Sequence, residues 1–136
     1  MNCYVDSSVI LRYLLTSSTE FERVREFERV GSSELLFIEC SRVIQRYRLE
    51  AMITDEQLEE AVTYFNELYE RLHVFDMSPP VKKRASETFP TVIGTLDAIH
   101  LATASIWANQ EPEPLVVFTF DGQMRRCAQS MGLHAI

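Results

Sequence analysis

Residues 2–15 read Asn2-Cys3-Tyr4-Val5-Asp6-Ser7-Ser8-Val9-Ile10-Leu11-Arg12-Tyr13-Leu14-Leu15. Asn2 to Val5 is a short, mostly apolar run that predicts a buried strand. Ser7 or Ser8 would then cap a helix through Leu15, with Val9, Ile10, Tyr13 and Leu14 on one face. Asp6 stands at the join, at the carboxyl end of the strand. A carboxylate beside buried segments is unfavourable unless it is paired, hydrogen-bonded or bound to a cation.

The same strand-then-helix unit recurs along the chain. Phe21, Val24 and Phe27 predict a second amphipathic helix, and Arg29 to Ser32 a short strand. A helix capped at Ser33 or a neighbour would run to about Glu50. Thr54-Asp55-Glu56-Gln57 has the form of a capping box, and the helix after it carries Leu58, Val62, Phe65, Leu68, Tyr69 and Leu72. His73 to Met77 reads as a strand, and Ser78-Pro79-Pro80 as a helix start, since proline is tolerated in a first turn. Pro90 and Gly94 bracket a loop. Thr95 would cap a helix to about Gln110, and Glu111-Pro112-Glu113-Pro114 is a rigid turn. Leu115 to Thr119 reads as an apolar strand, Gln123 to Met131 as a helix, and Leu133 to Ile136 as a last strand. Strands alternating with helices imply an α/β fold, with a parallel sheet covered by helices on both faces. In such sheets ligands bind outside the carboxyl ends of the strands.

Four acids occupy settings that solubility explains poorly: Asp6, Glu39, Asp97 and Asp121. Glu39 lies within Leu35-Leu36-Phe37-Ile38-Glu39-Cys40. Asp97 opens Leu96-Asp97-Ala98-Ile99-His100-Leu101-Ala102. Asp121 follows Leu115-Val116-Val117-Phe118-Thr119-Phe120. Taken singly, each has an ordinary explanation: a helix salt bridge for Glu39, first-turn placement for Asp97, a turn or cap for Asp121. Taken together, they suggest one shared cation site. Oxygen donors without a cysteine or histidine cluster select hard divalent ions such as Mg²⁺ or Mn²⁺. His100, set among Ile99, Leu101 and Ala102, reads as a packed core residue. Thr119 and Asp121 would face the same way if the strand continued that far.

With 136 residues, 46% of them hydrophobic and 24% charged, the chain fits one ordinary globular domain. No apolar run is long enough to cross a bilayer, and Asp6 and Arg12 interrupt any secretory leader at the N-terminus. Cys3, Cys40 and Cys127 match no zinc spacing and read as small core residues, which points to a reducing, cytoplasmic setting. The net charge of −7 argues against a broad electrostatic grip on nucleic acid and leaves room only for a local one. Arg42 and Arg46, at i+3 and i+7 from Glu39, share its helix face and are the favoured phosphate contacts, ahead of Arg48, Lys82-Lys83-Arg84 and Arg125-Arg126. No phosphate-binding glycine loop and no nucleophile–histidine triad is present. Metal-assisted phosphodiester hydrolysis is the chemistry best matched to these residues.

Four segments, in order, resemble those of PIN-domain ribonucleases, specifically VapC-type toxins of toxin–antitoxin pairs. They are Tyr4-Val5-Asp6-Ser7-Ser8, the Glu39 segment from Glu34 to Arg42, Leu96 to Ala104, and Phe118-Thr119-Phe120-Asp121 followed by Ala128, Gly132 and Leu133. The resemblance implies a three-layer α/β/α sandwich with a parallel central sheet of four to five strands. It implies an endoribonuclease using one or two Mg²⁺ or Mn²⁺ ions, a homodimer, and a cognate antitoxin whose tail covers the acidic site. It makes Asp6, Glu39, Asp97 and Asp121 metal ligands, with Thr119 and Ser7 as supporting polar groups. Two other readings compete. One is a PIN-like module that binds RNA or protein with little or no cutting. The other is a haloacid-dehalogenase-like phosphatase, which wants an aspartate where Ser8 stands.

Overall fold

β1 (Asn2–Val5) is fully buried and sits at the middle of the sheet. The computed structural model describes residues 1–16 and 18–136. After β1 come α1 (Ser7–Leu15), a 3-10 helix (Glu20–Glu26), β2 (Arg29–Ser33), α2 (Leu35–Leu49), α3 (Asp55–Arg71) and β3 (His73–Phe75). Then follow α4 (Pro79–Ala85), α5 (Thr95–Gln110), β4 (Leu115–Phe118), α6 (Gly122–Ser130) and β5 (His134–Ala135). The strands form one five-stranded sheet in the order β3-β2-β1-β4-β5, every pair parallel. The chain builds outward from β1 to β3, then returns to place β4 on the other side of β1. That reversal opens a crevice outside the carboxyl ends of β1 and β4.

Strand alternation assigns the two helical layers. Cys3, Val5 and Phe118 pack with Val9, Ile10, Leu36, Cys40, Ile44 and Phe65, so α1, α2 and α3 cover one face. Tyr4, Leu115, Val117 and Ala135 pack with Leu101, Ala104, Trp107, Met124 and Cys127, so α5 and α6 cover the other. The α/β/α layering expected from the alternation is therefore the observed one. Gly31 in β2 permits close packing: a Cβ there would lie 2.8 Å from Trp107 Cζ3 and 2.9 Å from the His73 carbonyl oxygen. No helix among the described residues is long and apolar enough to cross a membrane.

Local signals placed most boundaries. The Thr54 capping box forms reciprocally: the Gln57 amide donates to Thr54 Oγ1 and the Thr54 amide to Gln57 Oε1. Ser78 caps α4 by accepting from the Val81 amide.

Other expectations are corrected. The Phe21, Val24, Phe27 segment is a 3-10 helix, as a spacing of three fits three residues per turn better than 3.6. Ser7 and Ser8 do not cap α1. Asp6 holds the N-cap position without a side-chain cap, and both serines lie inside the first turn. α2 starts after Glu34, although Ser33 Oγ still accepts from the Leu35 amide. Gly94, not Thr95, precedes α5. β3 stops at Phe75 rather than Met77, and β4 at Phe118 rather than Thr119.

Candidate functional site

The register of the central strands creates the site. Val5 pairs with Phe118, so Asp6 and Thr119 leave the sheet side by side at its carboxyl edge. Thr119 Oγ1 donates to Asp6 Oδ2 at 2.7 Å, and Ser8 Oγ donates to Asp6 Oδ1 at 2.6 Å. The Phe120 amide donates to Ser8 Oγ, and the Asp121 amide to Thr119 Oγ1. Asp6 is 4% exposed. Burial pushes its carboxyl above the usual range, against the hydroxyls of Ser8 and Thr119 and the charge of His100. Two hydroxyl donors are the provision a buried carboxylate requires.

Glu39 reaches the same edge from α2. His100 Nε2 lies 2.5 Å from Glu39 Oε1, and Ser7 Oγ donates to Oε2 at a longer 3.3 Å. His100 belongs to α5, on the opposite face of the sheet, and its Nδ1 is 2.7 Å from Tyr4 Oη. The Glu39–His100 contact therefore joins the two helical layers across the sheet edge. Glu39 is partly buried, its side chain 13% exposed, as the sequence suggested, although neighbouring Phe37 and Ile38 are exposed. Phe37 instead clusters with Phe65 and Tyr69 of α3.

Asp97 lies in the first turn of α5. Its carboxyl is pushed up to about 6, first by burial, then by the charges of Asp121 and Asp6, with His100 opposing and Glu39 adding a smaller push. That electrostatic pattern brings the four acids into one neighbourhood. Asp121 is also tied into the fold as the N-cap of α6, its Oδ1 accepting from the Gln123 and Met124 amides. Its ordinary explanation as a cap thus holds, with its second oxygen left over. Thr119 and Asp121 do not share a strand face, because β4 has ended. They are linked instead by the turn itself, through the Asp121 amide.

The donor chemistry fits a hard cation: the oxygen donors are carboxylates and hydroxyls, and the one imidazole, His100, is hydrogen-bonded to Glu39. The arrangement is not a finished ligand cage. Among the described residues, no group of three or more His, Cys, Asp or Glu side chains is disposed to hold a metal ion. Asp6, Glu39 and Asp121 each already accept hydrogen bonds from protein donors.

The basic residues divide. Arg42 and Arg46 are exposed on α2, in line with Glu39. Arg48 pairs with Asp55 on the surface. Arg84 lies over the Phe89 ring, 4.2 Å from its centroid. Arg125 turns inward and donates from Nη2 to the Thr119 carbonyl at 2.6 Å, which braces the turn after β4 rather than facing solvent. Sequence reasoning missed Ser8 and underrated His100 and Tyr4. The signal for Ser8 was present, since a serine two residues after an aspartate can bond back to it. His100 is buried as expected, but its partner on α2 is 61 residues away in sequence.

A doubly wound parallel α/β protein with carboxylates gathered at the switch point of its strands is the class that fold and site define together. The PIN domain profile matches residues 3–129, and the chain belongs to the PIN domain family. Its fold is similar to that of a chain in the crystal structure of VapBC2 from Rickettsia felis, bound to a DNA fragment from their promoter. The TM-score is 0.70 at 13% sequence identity, covering 100% of this chain and 98% of that one. No curated protein matches the sequence.

Proposed function

We propose that the chain is a metal-dependent endoribonuclease of the VapC type, the toxin of a toxin–antitoxin pair. The observation that carries this reading is the gathering of the acids at the carboxyl edge of a PIN fold, where burial first and then the charges of Asp121, Asp6 and Glu39 push the Asp97 carboxyl up. Such crowding of like charge is relieved by a cation. On this reading Asp6, Glu39, Asp97 and Asp121 hold Mg²⁺ or Mn²⁺. Bound there, one or two ions would activate water for in-line attack on phosphorus and stabilise the leaving oxygen. Ser8 and Thr119 fix both oxygens of Asp6, Ser7 touches Glu39, and Arg42 and Arg46 meet the RNA backbone. This confines the attraction for phosphate to one face of a chain whose net charge is −7.

The partner in this reading is an antitoxin, in line with the two-protein VapBC2 assembly whose chain shares the fold. A homodimer and a cytoplasmic setting complete the proposal. Three free cysteines, all buried, fit a reducing compartment.

The test is cleavage of RNA with Mg²⁺ or Mn²⁺, comparing wild type with Asp6→Asn and Asp97→Asn. Loss of cleavage in both variants with retained fold is expected, and activity surviving in both sinks the mechanism. A PIN-like module that binds without cutting draws on a different observation: the acid oxygens are largely satisfied by protein donors. RNA binding by the wild type with no cleavage under either ion would select that alternative.

A further inference from the structure

His100 is 1% exposed, yet both ring nitrogens are engaged. Nε2 faces a carboxylate oxygen 2.5 Å away, so Nε2 carries a proton in either charge state of the ring. In the neutral ring Nδ1 is then an acceptor, and the Tyr4 hydroxyl 2.7 Å away is its donor. Tyr4 Oη in turn accepts from the Ser33 backbone amide at 3.1 Å. The Tyr4 ring stands edge-on to the imidazole, with centroids 5.8 Å apart. A chain of hydrogen bonds thus runs from the β2 backbone through β1 and α5 to the carboxylate on α2.

We infer that His100 is a positioning residue for Glu39, with Tyr4 setting the ring so that Nε2–H points at the carboxylate. The inference rests on the metal-dependent reading of the acidic site. Glu39 is the one glutamate among the four acids, and it arrives from a helix rather than from a strand end. Its longer side chain has more rotamer freedom to lose on being fixed. Ser7, at 3.3 Å, is a weak anchor, so the contact to His100 does most of the fixing. Chemistry explains the choice of residue. Lysine or arginine at this place would neutralise Glu39 and repel a cation. A leucine would leave the Tyr4 O–H without its acceptor and one Glu39 oxygen without its donor. An imidazole donates one hydrogen bond to the carboxylate and accepts another from Tyr4. Groups that hydrogen-bond metal-ligating side chains characteristically matter by ~10–100-fold in metal affinity.

The test is calorimetric titration of Mn²⁺ into wild type, His100→Leu, His100→Gln, Tyr4→Phe and Thr54→Ala, each with a melting curve. Glutamine presents an amide donor and acceptor in place of the two ring nitrogens. Thr54→Ala removes the α3 cap, far along the chain from the acids, and controls for lost stability alone. Expected are Mn²⁺ affinity ~10–100-fold weaker in His100→Leu, near-wild-type affinity in His100→Gln, a smaller loss in Tyr4→Phe, and none in Thr54→Ala. Equal affinity in wild type and His100→Leu would overturn the inference, as would equal losses in the leucine and glutamine variants. If His100→Leu does not fold, Tyr4→Phe decides, and unchanged affinity there overturns it. A wild type that binds no Mn²⁺ overturns the metal reading itself, and the inference with it.

Discussion

Asp97→Asn should stabilise the metal-free protein at neutral pH while damaging the site. Asp97 carries a carboxyl raised from an ordinary 3.8 to about 6, chiefly by burial and then by Asp121 and Asp6. Between those two values the folded chain binds more protons than the unfolded chain. Stability therefore falls as pH rises from about 4 through about 6, and the deficit persists above that. At 1.36 kcal/mol per unit, the full deficit is ~3 kcal/mol. Asp97 is only half-buried, and solvent screening brings this to roughly 1.5 kcal/mol. Asparagine also forfeits the favourable interaction of a charge with the α5 N-terminus, ~0.3–1 kcal/mol. The balance is a gain of ~1 kcal/mol above pH ~7, or about 3–5 °C in Tm for a domain of this size. Thermal unfolding by circular dichroism in EDTA, from pH ~4 to pH ~8, reads it out, and the gain should vanish at the acid end. Saturating Mn²⁺ should then reverse the order, since an ion at 100 times its Kd adds ~2.7 kcal/mol to the protein that binds it. A Tm difference that ignores pH, or a variant less stable than wild type only above pH ~6, would refute the electrostatic reasoning.

Thr119→Val removes one of the two hydroxyls that serve buried Asp6, together with the acceptor for the Asp121 amide. It should cost ~1–3 kcal/mol in chemical denaturation, and Thr119→Ser should recover most of it. Gly31→Ala drives a methyl group into Trp107 and the His73 carbonyl. The expected loss is ~1–3 kcal/mol, seen as a lower Tm with the acid cluster untouched. Replacing Arg42 and Arg46 together by alanine should weaken binding of a non-cleavable RNA and flatten its salt dependence by ~0.7 per lost phosphate contact. An unchanged slope would remove both arginines from the RNA face.

The parallel α/β layering was legible because its signals are local. An apolar run of three followed by an acid and two serines, a Thr-x-x-Gln box and a Ser-Pro-Pro start each act within a few residues. The same locality explains the misreadings. The spacing of Phe21, Val24 and Phe27 satisfied an amphipathic pattern, but three residues per turn and one buried side chain made a 3-10 helix. Ser7 and Ser8 looked like caps because capping is the commonest local use of a serine before a helix. Here a tertiary partner, Glu39, took Ser7, and Asp6 two residues earlier took Ser8. The contacts of Thr119 with Asp6 and of His100 with Glu39 span 113 and 61 residues. No periodicity reports such pairs, since they depend on which strands become neighbours and where each ends.

The hydrogen bonds also divide the acids into two kinds. Asp6 and Glu39 are held by side chains from elsewhere in the fold: Ser8, Thr119, Ser7 and His100. Their positions are set by the meeting of β1 with β4 and of α2 with α5. Asp121 uses one oxygen for its own helix, and among the described residues Asp97 receives no side-chain hydrogen bond. On the proposed reading, one half of the site is preorganised and the other half adjusts when an ion arrives. The preorganised half offsets the desolvation of buried Asp6 through the uncharged hydroxyls of Ser8 and Thr119. The adjustable half carries the like-charge strain on Asp97, whose carboxyl is pushed up to about 6 by burial and then by its charged neighbours. As pH falls through about 6, Asp97 takes up a proton. Metal affinity should therefore weaken as pH falls through about 6, with Asp97 as its origin. The Asp97→Asn variant, with nothing left to titrate there, should lose that pH dependence along with most of its affinity.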